Sequence, residues 1–130
     1  MKILIVEDDL VSRKLLQKFF VDYGTTETAI DGMEAMDAFL LSIKENDPYD
    51  LIFLDIMMPK LDGIRVLKAI RDIEAEKGIE TDNRVKIIMT TALNQKEIVM
   101  QAYEHGCDAY LWKPLDFSKI KKLMVNLGDI

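Results

Sequence analysis

Five short apolar runs of strand type, at 2–7, 26–30, 50–55, 85–90 and 108–112, alternate with segments whose apolar residues recur at helical spacing. That alternation constrains the fold more than any single residue does. The first helical segment carries Val11, Leu15, Leu16, Phe19 and Phe20 as its apolar stripe, with Arg13, Lys14 and Lys18 left for solvent. A second helix repeats the pattern with Met36, Phe39, Leu40 and Ile43, and a third with Ile64, Leu67, Ile70 and Ile73. Ile98 and Ala102, stopped by Gly106, mark a shorter fourth, and Ile120, Leu123, Met124 and Leu127 a fifth. Continuous apolar strands such as 3–6 and 51–54 suit a parallel sheet covered on both faces. Short connections and right-handed crossovers then predict an α/β fold: a doubly wound, five-stranded parallel sheet with five helices.

At 130 residues and 49% hydrophobic, the chain can fill one core and is too short for two ordinary domains. A single domain over 1–130 is expected, with no room for an output domain after the fifth helix. The longest irregular stretch, 76–84, is polar and reads as a surface loop rather than a dedicated docking site. No apolar run reaches the roughly 20 residues of a membrane span, and the start lacks a signal-peptide pattern, so a soluble, cytoplasmic protein is expected. Cys107 is the single cysteine, which rules out an intramolecular disulfide and suits a small buried side chain. A net charge of −6 repels phosphate backbones, so protein partners are expected rather than nucleic acid or membrane.

Ligands of an open parallel sheet bind beyond the carboxyl ends of its strands. There the first strand ends in Glu7-Asp8-Asp9, the third in Asp55 and the fourth in Thr90-Thr91, while the fifth runs into Lys113-Pro114. Carboxylates brought together repel one another unless a cation sits between them. Oxygen-only ligands select a hard cation, and few carboxylates plus waters favour Mg²⁺ over Ca²⁺. Lys113 adds a point charge suited to a phosphoryl oxygen or to Asp55 itself. Asp9 is free to cap the first helix.

Together, the segments 3–9, 54–59 continuing to Asp62-Gly63, 89–92 and 106–114 resemble those of the response-regulator receiver family of two-component signalling, over essentially the whole chain. The resemblance implies a flavodoxin-like (CheY-like) sheet with strand order 2-1-3-4-5. It implies Asp55 as phosphoacceptor and Glu7 and Asp8 as the acid pair that holds Mg²⁺. Asp8 and Asp55 would ligate the metal directly, Glu7 through water and Met57 through its backbone carbonyl. Arg13, five residues after Asp8, occupies the family's usual basic position. Thr91 resembles the phosphoryl-binding hydroxyl, with Thr90 as its neighbouring candidate, and Lys113 the lysine that pairs with the phosphoryl group, preceding a cis proline. Tyr110 matches the aromatic that follows the state of the threonine.

The donor so implied is a sensor histidine kinase or a histidine phosphotransfer protein, and the output a protein-interaction surface on the fourth helix, fifth strand and fifth helix. That surface would meet a downstream protein target, or a second copy in a phosphorylation-dependent homodimer. The chain would assist its own phosphorylation and dephosphorylation without separate substrate turnover. Met57 and Leu93 are apolar where polar residues would orient an attacking water, which predicts slow self-dephosphorylation. The alternative is a pseudo-receiver, the same fold docking a partner without phosphorylation. A haloacid-dehalogenase-like phosphatase would need an acid where Met57 stands, and a flavodoxin-like carrier a phosphate loop where Glu7-Asp8-Asp9 would repel it.

Overall fold

The computed structural model describes residues 1–58, 60–92 and 96–128. Five strands, β1 (Lys2–Val6), β2 (Thr25–Ala29), β3 (Leu51–Asp55), β4 (Lys86–Thr91) and β5 (Ala109–Trp112), alternate with helices α1 (Leu10–Phe20), α2 (Gly32–Lys44), α3 (Gly63–Glu76), α4 (Lys96–Glu104) and α5 (Phe117–Asn126). All pairings are parallel, in the order β2-β1-β3-β4-β5. β4 runs one residue further than its apolar stretch, which sets Thr91 inside the strand end. Of the stretch 76–84 expected to be irregular, Glu76 closes α3 and the rest is a loop that holds a single 3₁₀ turn, Thr81–Asn83. No helix of the described residues is long and apolar enough to cross a membrane.

Both faces of the sheet are covered, as its continuous apolar strands require. Leu4, Val6, Ile52, Leu54, Ile87 and Met89 pack toward α2, α3 and α4, and Ile3, Ile5, Phe53 and Ile88 toward α1 and α5. On α1 the buried residues are Leu16 and Phe20, whereas Val11 and Leu15 are 66% and 50% exposed. At about 100° per residue, Val11 lies about 140° around the helix from Leu16, outside the sector that a flat sheet can cover. The apolar stripe of α1 is therefore wider than its buried face.

Four helices begin with an aspartate whose carboxylate accepts a backbone N–H of the first turn. Asp9 accepts from Ser12, Asp31 from Glu34, Asp62 from Arg65 and Asp116 from Ser118, at 2.8, 2.9, 3.0 and 2.9 Å. Two glycines bring backbone against backbone beside these caps. A Cβ at Gly32 would stand 2.0 Å from the Leu61 carbonyl oxygen, and one at Gly63 2.4 Å from that of Asp55. Neither contact leaves room for any side chain. Gly63→Ala should push α3 off the end of β3 and destabilise the fold by about 2 kcal/mol or more, read from urea unfolding.

Away from that edge, Arg71 and Glu74 of α3 are buried, 8% and 2% exposed. The Arg71 guanidinium donates to Gly106 O at 2.9 Å, Glu74 Oε1 at 2.7 Å, Val85 O at 2.8 Å and Asp108 Oδ2 at 2.9 Å. Glu74 Oε2 accepts from Val85 N–H at 2.9 Å, and Asp108 Oδ2 from Ile87 N–H at 2.8 Å. One planar cation thus ties α3 to the start of β4 and to the turn before β5.

Candidate phosphoacceptor site

The strand order reverses between β1 and β3, and the crevice at their carboxyl ends collects the acids. Glu7 follows β1 and is 2% exposed, Asp55 ends β3 and is 3% exposed, and Asp8 is exposed at the rim. One carboxylate oxygen from each of the three lies within 4.8 Å of the others. Lys113, after β5, reaches between the two buried acids, its Nζ 2.7 Å from Glu7 Oε1 and 2.9 Å from Asp55 Oδ2. Asp55 Oδ1 accepts the Met57 backbone N–H at 3.1 Å. Arg13 Nη1 donates to the Glu7 and Asp8 carbonyl oxygens at 3.0 and 3.4 Å, which steadies the turn that presents both acids.

Burial, and then the closeness of Asp55, push the Glu7 carboxyl up to about 7 against the pull of Lys113. Burial works against the Lys113 charge, but Glu7 and Asp55 outweigh it and raise its proton affinity. One ammonium faces three carboxylates, and Glu7 Oε2 is buried with no hydrogen-bond partner among the described residues. This is a charge deficit that a hard divalent cation would fill. The oxygen-only donor set fits such an ion, with Glu7, Asp8 and Asp55 as the residues that would hold it.

Thr91 is fully buried at the end of β4, its carbonyl accepting the Lys113 N–H at 2.8 Å. The neighbouring Thr90 carbonyl accepts the Ile56 N–H at 2.9 Å, which fixes the chain just after Asp55. The Lys113-Pro114 bond is cis. Tyr110 is 8% exposed, its ring 5.2 Å edge-on from that of Trp112. Its hydroxyl has no hydrogen-bond partner among the described residues, while Thr91 is near enough to bear on its proton affinity. Pro59 and Leu93 lie outside the described residues. Sequence reasoning assigned no role to Gly63, whose missing side chain lets α3 start against Asp55; a glycine directly after a capping aspartate was the available signal.

The chain belongs to the response regulator receiver domain family, whose description it matches over residues 3–125. Among its relatives, the chemotaxis protein CheY of Treponema pallidum is 32% identical over 97% of this chain and 81% of that protein. Hybrid signal transduction histidine kinase L of Dictyostelium discoideum is 32% identical over 98% of this chain, which spans only 7% of that kinase. Among solved structures, the receiver domain of Ssk1 from Saccharomyces cerevisiae, crystallised with the histidine phosphotransfer signaling protein Ypd1, is similar. It superposes with a TM-score of 0.84 at 30% identity, covering 98% of this chain and 88% of that one. The CheX-CheY-BeF3-Mg complex of Borrelia burgdorferi gives 0.79 at 28% identity, covering 98% of this chain and 89% of that one.

Proposed function

We propose that Asp55 accepts a phosphoryl group in a Mg²⁺-dependent reaction from a histidine kinase or histidine phosphotransfer protein in the cytoplasm, and that the acyl phosphate so formed alters a protein-interaction surface. The observation that carries this reading is the convergence of Glu7, Asp8, Asp55 and Lys113 on one crevice. Mg²⁺, when bound by Glu7, Asp8, Asp55 and the Met57 carbonyl, supplies positive charge to the equatorial oxygens of the transferred group. Asp55 provides the attacking oxygen. Lys113 already donates to Asp55 Oδ2, and it would keep its ammonium on the phosphoryl oxygens as the Asp55 O–P bond forms and the P–N bond to the donor's imidazole breaks, the electron pair leaving with the imidazole nitrogen. Thr91 offers a hydroxyl from the buried end of β4.

The exchange between donor and Asp55 needs a covering surface. Leu15, Pro114, Leu115 and Phe117 line a shallow cavity beside Lys113, and Leu10 and Val11 are also exposed on α1, so an apolar face of the donor protein fits there. The output surface lies on α4, β5 and α5, where Met100, Tyr103 and Trp112 are about half exposed. Since the Tyr110 ring is already buried, the expected change is in what its hydroxyl and Thr91 face, not an entry of the ring from solvent. Met57, apolar and exposed two residues after Asp55, gives no help to an attacking water, which favours a long-lived acyl phosphate.

The test is intact mass after incubation with acetyl phosphate. A gain of one phosphoryl group with Mg²⁺, lost on chelation, is the expected result. No gain from acetyl phosphate or from a phosphohistidine donor would leave the phosphorylation-independent docking module as the better reading.

The acid cluster also makes the metal-free fold sensitive to pH. Glu7 holds its proton up to about 7 in the folded chain, against an ordinary value of 4.5. Between those values the folded state binds more protons than the unfolded one, so stability falls as pH rises through that window. The expected loss is on the order of 3 kcal/mol. Urea unfolding at about pH 5 and about pH 8 should show it, and saturating Mg²⁺ should remove most of the difference. Equal stability at both pH values without metal would contradict the assignment.

A further inference from the structure

One face of α2 is left open to solvent although much of it is apolar. Ala35, Phe39 and Ser42 turn inward and are buried, whereas Met33, Leu40 and Leu41 are 52%, 45% and 53% exposed. At about 100° per residue, Met33, Asp37, Leu40, Leu41 and Lys44 share an arc of about 100° on the side away from the core. Asp37 and Lys44 are exposed as well, and among the described residues neither joins an ion pair. They stand two turns apart, about 10 Å along the helix axis, too far to pair with each other.

The order of these residues makes the face its own complement. When two copies of α2 pack antiparallel about a two-fold axis between Leu40 and Leu41, residues equally far to either side of that axis meet. Leu40 then packs on Leu41 of the partner subunit, and Asp37 lies against Lys44 of the partner subunit, twice by symmetry. The same register brings Glu34 toward Asp47 of the partner subunit, but both carboxylates are engaged within their own chain. Glu34 accepts the Ile30 N–H at 3.0 Å, and Asp47 pairs with Lys2 Nζ at 3.2 Å. A partner whose charges were all of one sign would instead set either Asp37 or Lys44 against its like.

We propose that the chain forms a reversible homodimer through antiparallel α2 helices, with Leu40 and Leu41 at the centre and an Asp37–Lys44 pair on each side. α2 packs over β1 and β2, and β2 is at the opposite edge of the sheet from β5. The contact therefore leaves the α4, β5 and α5 surface free, and it needs neither Mg²⁺ nor a phosphoryl group. Three apolar side chains from each copy make a smaller contact than the roughly 1,200–2,000 Å² of stable complexes. A net charge of −6 on each copy opposes it further, so the Kd should be on the order of 100 µM.

Sedimentation equilibrium of the full chain, from about 10 µM to about 1 mM in about 0.15 M salt without Mg²⁺ or phosphodonor, should show a monomer–dimer equilibrium. Asp37→Lys and Lys44→Asp should each weaken it at least about tenfold. Each reversal moves the net charge of −6 by two, to −4 and to −8 respectively, so a loss in both cannot come from net charge. Mixing the two variants should restore association to near the parent Kd, because in a mixed pair each position 37 again faces the opposite charge at position 44. A parent chain that stays monomeric to about 1 mM overturns the proposal. So does a dimer that keeps its Kd in either reversal, which would put the contact on another face, or a mixture that stays apart. The parent measurement needs no variant, and both substituted side chains are exposed, so the outcome does not depend on a core position.

Discussion

Asp55→Ala should gain no mass on incubation with acetyl phosphate and Mg²⁺, under conditions in which the parent chain gains one phosphoryl group. The loss is expected to be complete because no other carboxylate of the crevice can take over. Glu7 is 2% exposed, and under the Mg²⁺ of the assay it would serve to hold the metal rather than to attack the phosphoryl group. Asp8 sits at the rim, without the paired contacts from Lys113 and the Met57 N–H that aim the Asp55 oxygens. A full phosphoryl gain in Asp55→Ala would move the acceptor elsewhere and sink the proposed function. The same variant removes the neighbour that raises Glu7, so the Glu7 carboxyl should titrate lower, as carboxyl ¹³C shifts would report.

Arg71→Ala should have the largest effect on stability, a loss of about 3–5 kcal/mol from a total of about 10 kcal/mol. Truncation strands a buried carboxylate on Glu74, leaves part of Asp108 unpaired and removes the donor from the buried Val85 carbonyl oxygen and the half-buried one of Gly106. The alternative fate of Glu74, taking up a proton, carries its own cost. Arg71→Lys should recover little, because an ammonium cannot span four acceptors set around a planar fork. Urea midpoints with an unchanged slope would measure both losses. A deficit below about 1 kcal/mol for Arg71→Ala would mean that water replaces the guanidinium and that the network is not the tie it looks to be.

The layout of strands and helices was legible because short unbroken apolar runs and apolar residues at a period of about 3.6 leave separate marks along the chain. The site was legible for a different reason: a parallel sheet gathers strand ends, so acids at the ends of β1 and β3 and a lysine after β5 had to meet. Less legible were features that depend on distance rather than order. Arg71 and Glu74 went unremarked in the sequence, because pattern alone does not tell a buried ion pair from a solvated one when further partners of Arg71 stand 14 and 37 residues away. Val11 and Leu15 fitted the apolar stripe of α1, and only the width of the sheet beneath leaves them uncovered. Gly32 and Gly63 are silent in any hydrophobicity pattern, since their role is the side chain they lack.

The capping aspartates have a consequence beyond the helices they begin. Every helix start lies at the carboxyl end of a strand, so Asp9, Asp31, Asp62 and Asp116 stand around the edge that also holds Glu7, Asp8 and Asp55. Hydrogen bonds from the first turns hold Asp9, Asp31 and Asp116 below the usual carboxylate range, so their charge persists even in mild acid. The doorway is thus a fixed negative field, one that concentrates metal cations and slows, without barring, the approach of small anionic phosphates. Under the proposed function, a free acyl phosphate would meet a repulsion at this rim that eases as added salt screens it.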